Sequence, residues 1–227
     1  MTTVWRLTGP PENWITAMNR GFWALNEEGV NLWEQFNKGD VAVFHSTKST
    51  LSSKAPSTVI GYGIIGNTGT KTELWWMDEI TENRLKWPYT IQLRKMYFVK
   101  ERFNIDFKTS NDKKDPSLLK KEVDELAGSG MKLSVLIEVT QKKYPAARSF
   151  PVMGSCSRIS PAYEDVLLKS ELEFFAFDEQ SKNFDEIESR LEEAIDSDIE
   201  LEAKEKLRAE AENYKSTGPS HIEKLKS

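Results

Sequence analysis

The chain of 227 residues is poor in the residues on which most catalytic and metal chemistry depends. A single cysteine, Cys156, excludes an internal disulfide framework and a multi-cysteine metal site. Two histidines, His45 and His221, are too few for a histidine-based metal centre, and neither pairs with Cys156 at ligand spacing. No apolar run approaches the roughly 18 residues of a membrane span, and the N-terminus lacks the basic-then-apolar pattern of a signal peptide. These absences predict a cytoplasmic protein with no cofactor and no membrane partner.

The formal charge of −5 is unevenly spread. Residues 178–227 hold fifteen acidic and eight basic side chains, which leaves twenty-one and twenty-three for residues 1–177. The body is therefore slightly basic and can present a local positive face, which the whole-chain charge conceals. We expect a domain over 1–177 followed by a charged helical linker or tail over 178–227. Its sparse apolar positions between Asn183 and Tyr214 suit a long exposed helix.

Short β-type segments dominate the body. Thr3 to Leu7, Phe22 to Leu25, Val41 to Ser46, Thr58 to Ile65 and Tyr89 to Val99 read as strands, separated by brief helices at Asn13–Arg20 and around Val30–Phe36. Asp115-Pro116 and Ser160-Pro161 each place a capping residue before a proline and open helices. Leu133 to Val139 fits strand or helix, and its β-branched content predicts a strand. Residues 47–57 are small, polar and basic, the composition of a mobile loop. Gly61 and Gly63 predict close backbone approach within their strand. The expected class is α+β, a small mixed β-barrel with flanking short helices and a C-terminal charged helix.

Three catalytic or cofactor readings fail on context. Gly61-Tyr62-Gly63-Ile64-Ile65-Gly66 matches the dinucleotide pattern, but its glycines lie inside a strand and a turn, not a helix, is expected at 67–70. His45 and Ser46 are neighbours on one strand and point to opposite faces, a poor dyad. Cys156 has no base at hand and reads as an inert buried thiol. Asp78-Glu79 reads as the start of a turn or a cap.

What the chain does have is tryptophan. All seven, at 5, 14, 23, 33, 75, 76 and 87, lie in its first two fifths. At least half should be core, Trp14 and Trp33 among them. Trp75 and Trp76 are adjacent, so in an extended segment they would face opposite sides and could not both enter one core. Asn13, Ser46, Thr47 and Asp78 lie close in sequence and could read a base edge.

Glu12-Asn13-Trp14, Gly21-Phe22-Trp23, the Gly-Asp turn into Val41-Ala42-Val43-Phe44-His45-Ser46, then Ile60-Gly61-Tyr62-Gly63, Trp76 and Trp87 together resemble the YTH and EVE branches of the PUA-like superfamily. The order and spacing of these segments over roughly residues 3–170 carry the resemblance. It implies a PUA-like barrel that holds a modified base in an aromatic cage. Trp23 and Trp76 would be opposed walls, with Trp87 or Trp75 adjacent. Asn13 would contact the base, Ser46 would face the pocket, and Arg158 would contact phosphate. Pro10-Pro11 departs from the methyladenine readers. Leu74-Trp75-Trp76 with Asp78-Glu79 and Trp87-Pro88-Tyr89 is similar to prokaryotic EVE-like domains that open modification-dependent restriction enzymes, where a nuclease or motor domain follows. The function this implies is recognition of modified double-stranded DNA by base flipping, without catalysis in this chain.

Lys48, Lys54, Lys71 and Arg158 are the candidate phosphate contacts, with Arg148 beside them. Two other functions stand next to this one: a reader of modified or structured RNA, and an interaction module whose tryptophans are all core.

Overall fold

The computed structural model describes residues 2–49, 51–100, 116–151 and 153–176. The expected tail helix lies outside them. Among the described residues eight strands form one sheet: β1 (Val4–Gly9), β2 (Phe22–Leu25), β3 (Val41–Ser46), β4 (Thr58–Thr70), β5 (Tyr89–Phe98), β6 (Met131–Lys132), β7 (Cys156–Ile159) and β8 (Phe175–Ala176). The main order is β2-β5-β4-β3-β1-β7, with β6 on β4 and β8 on β5. Only β1 and β3 are parallel among these pairs. The sheet curls into an open half-barrel, so the class is α+β.

Among the described residues six α-helices flank it: α1 (Pro11–Arg20), α2 (Val30–Trp33), α3 (Met77–Glu82), α4 (Pro116–Ser129), α5 (Leu133–Lys143) and α6 (Pro161–Leu168). Pro11 at the first position of α1 costs no hydrogen bond. Gly21 ends the helix at φ 74°, a left-handed geometry in which its N–H still reaches Ala17 O at 2.8 Å. That stop turns the chain directly into β2, placing Trp23 beside Trp14.

Period-2 alternation sorts the side chains onto two faces. Trp5, Leu7, Ala42, Phe44 and Ile60 go to one core, with α1 and α4; Val4, Val41, Val43 and Val59 go to the other, with α5 and α6. Gly63 is required here by packing: a Cβ would lie 2.6 Å from Lys95 O and 2.7 Å from the Phe44 ring. The expected close approach is thus real, and it lets β5 and the Phe44 ring come in on opposite sides of β4.

Four local expectations are corrected. Leu133 to Val139 is helical, because Leu133, Leu136 and Thr140 form a buried stripe at helical spacing while Val135 and Val139 are exposed. The strand through Ile65 does not end in a turn but runs to Thr70, its register shifting at Ile64–Ile65 and Ile65–Thr68. The described residues on either side of position 50 in the 47–57 loop are anchored: Ser49 donates to Glu12 at 2.8 Å, Ser52 donates to Asp124, and Ala55 is buried. The helix opened by Ser160-Pro161, whose pattern predicts an end near Leu172, stops at Leu168.

Candidate functional site

Where β1 ends, α1 begins and α3 passes, the chain leaves a cleft of about 80 Å³. Thr8, Gly9, Pro10, Asn13, Trp23, Ala24, Trp76, Trp87 and Ser155 line it. Four of the sequence-predicted base contacts, Trp23, Trp76, Trp87 and Asn13, therefore meet at one place. The space is small beside the roughly 300–1,000 Å³ of ordinary small-molecule sites.

The rings are not arranged as opposed walls. Trp23 and Trp76 pack against each other, centroids 5.6 Å apart and planes at 54°. A flat ligand between two faces needs about 7 Å, twice the contact distance of carbon atoms. The pair instead forms a corner. Behind it, the other indole contact of Trp23 is Trp14, stacked at 4.0 Å and 19°. Trp87 is half-buried, and its Nε1–H donates to Asp78 Oδ2 at 3.3 Å.

Trp75 and Trp76 both enter the same core, contrary to the expectation from an extended segment. Glu79 explains how. It is the third residue of α3, and its buried carboxylate accepts from the N–H groups of Trp75 (2.9 Å), Trp76 (3.2 Å), Lys86 (3.0 Å) and Trp87 (3.0 Å). Gathering two adjacent N–H groups bends the chain, and the Trp75 and Trp76 rings meet edge to face, centroids 6.4 Å apart at 70°. The same carboxylate thus fixes the backbone of two cleft residues, Trp76 and Trp87. Asp78-Glu79 is a cap, as its sequence suggested.

Lys71 is not a phosphate contact. Its side chain is fully buried and its Nζ donates to both Glu79 oxygens, at 2.8 and 2.7 Å, and to Glu73 O at 2.7 Å. Burial lowers its pKa from the ordinary lysine value, and the bonds to Glu79 oppose that. Without a fully hydrogen-bonded partner such a buried cation would be strongly unfavourable. Arg20 lies over Trp75 at 5.1 Å, adding a second cation beside Glu73 and Glu79. Trp75 lies behind the cleft and does not line it.

Ser46 is buried at the end of β3, its Oγ has no partner among the described residues, and it does not line the cleft. Lys48, Lys54, Arg148 and Arg158 are exposed, Arg158 lying over the outer side of Trp5 at 5.0 Å. The cleft's late-loop residue, Ser155, is placed by Arg6, which sequence reasoning missed. The buried Arg6 guanidinium donates to the carbonyls of Pro151, Met153 (2.6 Å) and Gly154 (2.8 Å), and Thr8 N–H donates to Ser155 O at 2.8 Å. An arginine inside the Val-Trp-Arg-Leu alternation was the available signal.

His45 sits between Thr8 Oγ1 (3.3 Å) and Ser57 Oγ (2.7 Å), with burial and then Arg6 lowering its pKa to about 4. Burial pushes the Cys156 thiol up to about 12. Both are poor proton-transfer groups or nucleophiles at neutral pH.

No family model and no curated protein matches the chain. Solved structures similar to it include a hypothetical protein from Leishmania major, at 12% identity over 74% of this chain and 94% of that one, TM-score 0.38. A protein from Pseudomonas putida is likewise 12% identical, over 73% and 97%, TM-score 0.38.

Proposed function

We propose that residues 1–177 are a PUA-like domain of the EVE/YTH type that binds a methylated base flipped out of double-stranded DNA, as the recognition module of a modification-dependent restriction system. The observation that carries this is the convergence of Trp23, Trp76, Trp87 and Asn13, from separate stretches of chain, on one cleft. The base lies against the Trp23–Trp76 corner with Trp87 as its outer wall. Entry requires the cleft to widen, and half-buried Trp87 is the wall with least to hold it.

The energetics suit such a site. Flipping a base costs a few kcal/mol, and stacking on aromatic side chains returns about 1–3 kcal/mol per base. A buried methyl adds about 0.8 kcal/mol. Affinity then depends on phosphate contacts, for which exposed Lys48, Lys54 and Arg158 are the candidates. The restriction context rests on the resemblance of the Leu74–Tyr89 segment alone. Binding rather than catalysis is the proposed action, in keeping with the unreactive states in which His45 and Cys156 are held.

The test is binding, at stated salt, to duplexes that differ only in one methyl group on adenine or on cytosine. Tighter binding to one methylated duplex, with quenching of tryptophan emission, is expected. Preference for single-stranded or structured RNA over both duplexes would replace DNA with RNA as the ligand.

A further inference from the structure

Large apolar side chains that reach solvent are few among the described residues, and they are not alike. Ile80, Leu85, Val135, Val139 and Leu168 are between 36% and 46% exposed, so more than half of each is still covered, whereas Met153 is 85% exposed. A lone exposed apolar residue is ordinary on a protein surface. What sets Met153 apart is where it stands and how its backbone is held.

Met153 is two residues from Ser155, which lines the cleft. Two peptide units span at most about 7 Å, so the side chain starts at the rim. The buried Arg6 guanidinium donates to the carbonyls of Pro151, Met153 (2.6 Å) and Gly154 (2.8 Å), and Thr8 N–H donates to Ser155 O (2.8 Å). Gly154, at φ 82°, supplies the left-handed turn between Met153 and the rim residue. The Met153 carbonyl is thus bonded to a buried arginine while its side chain lies in solvent. An apolar side chain on an anchored backbone beside a ligand cleft is placed to meet an apolar surface that the ligand brings.

We propose that Met153 is a wedge that enters the DNA stack and fills the position vacated by the flipped base. This rests on the proposed base-binding function. A base removed from a duplex leaves its stacked neighbours two steps apart, about 7 Å at a rise of about 3.4 Å per step. That distance is two carbon contacts of about 3.5 Å, room for one unbranched side chain between two base faces. Methionine is unbranched, flexible and polarisable, and apolar wedges of this kind hold unstacked base steps apart. Exposed Arg148 and Arg158, five residues to either side in sequence, supply cations for the phosphates that flank the opened step.

The test uses the full chain carrying Met153→Ala, Met153→Leu or, as a control on the aliphatic face, Val139→Ser. Each is titrated with whichever methyladenine or methylcytosine duplex the unaltered protein prefers, and with the same methylated strand alone, in which no duplex step has to be held open. Met153→Ala should bind the duplex about ten- to fiftyfold more weakly, the worth of two or three apolar groups withdrawn from the stack, and bind the single strand as the unaltered protein does. Met153→Leu should keep most of the duplex affinity and Val139→Ser all of it. Thermal midpoints should be level throughout, because each altered side chain is exposed. An equal loss on duplex and single strand, or no loss on either, overturns the wedge and leaves the cleft as a binding site. Failure of the unaltered protein to prefer either methylated duplex overturns the base-binding function itself.

Discussion

One face of the sheet is packed with Trp5, Trp14, Trp23, Trp33, Trp75 and Trp76 together with Phe36, Phe44 and Phe98, whereas the other holds Val4, Val43, Val59, Leu136, Val166 and Leu167 with Phe150 and Tyr163. An aliphatic layer is complete when its volume is filled. A layer of indoles must also find acceptors for its N–H groups, and on the aromatic face Asp40, Asp78, Glu73 and backbone carbonyls answer five of the seven. That demand makes the aromatic face sensitive to polar substitutions.

The largest effect should come from Glu79, on which the aromatic face depends most. Glu79→Ala leaves the Lys71 ammonium buried and unpaired and releases four backbone N–H groups. A loss of about 3–5 kcal/mol in urea unfolding is expected. Adding Lys71→Met should return part of it, since the unpaired charge goes. If Glu79→Ala unfolds at the urea concentration of the parent, the aromatic face is held by ring packing alone and the contrast between the two faces disappears.

The other face has its own polar intruder in His45, which meets Phe150 edge-on at 6.4 Å. Its pKa of about 4 lies below the ordinary 6.5, so the unfolded chain binds the proton more readily between those values. The stability that His45 contributes is complete above about pH 6.5 and is lost as pH falls towards 4, on the order of 3 kcal/mol. Comparing stability at neutral and mildly acidic pH in the parent and in His45→Gln isolates it. The variant should show a shallower decline over that window; parallel curves would mean that His45 is protonated in the fold.

The same two faces show what the residue pattern could and could not reveal. Strand positions were legible, because alternation is a local property that the sheet preserves, whereas the gathering of Trp23, Trp76, Trp87 and Asn13 was what the family resemblance implied. The fate of Lys71 was not. A lysine eight residues from a glutamate reads as surface charge, and only the bend imposed by Glu79 brings the two together inside the core. Arg6 was hidden in the same way, its acceptors being carbonyls some 145 residues further along. In α5 the β-branched Val135 and Val139 pointed to a strand, yet both face solvent, where packing does not enforce that preference. The corner formed by Trp23 and Trp76 depends on ring orientation, which spacing does not encode.

Trp87 offers the finest division between the faces, because it belongs to the aromatic one but is only half-buried. Its backbone is held by Glu79 and its indole by a single bond of 3.3 Å to Asp78, a carboxylate already shared with Lys86. Truncation to alanine keeps the Glu79 bond, since that bond uses the main chain. Trp87→Ala should therefore lower stability by only about 1 kcal/mol, well below a fully buried aromatic, which costs about 3–5 kcal/mol. Its effect on ligand affinity should be larger, about 1–3 kcal/mol or roughly 5- to 150-fold, if the ring is the outer wall against which the base stacks. Titration with the preferred methylated duplex, alongside urea unfolding of the same variant, separates the two quantities. Equal losses in both would make Trp87 one more core residue and leave the cleft without its outer wall.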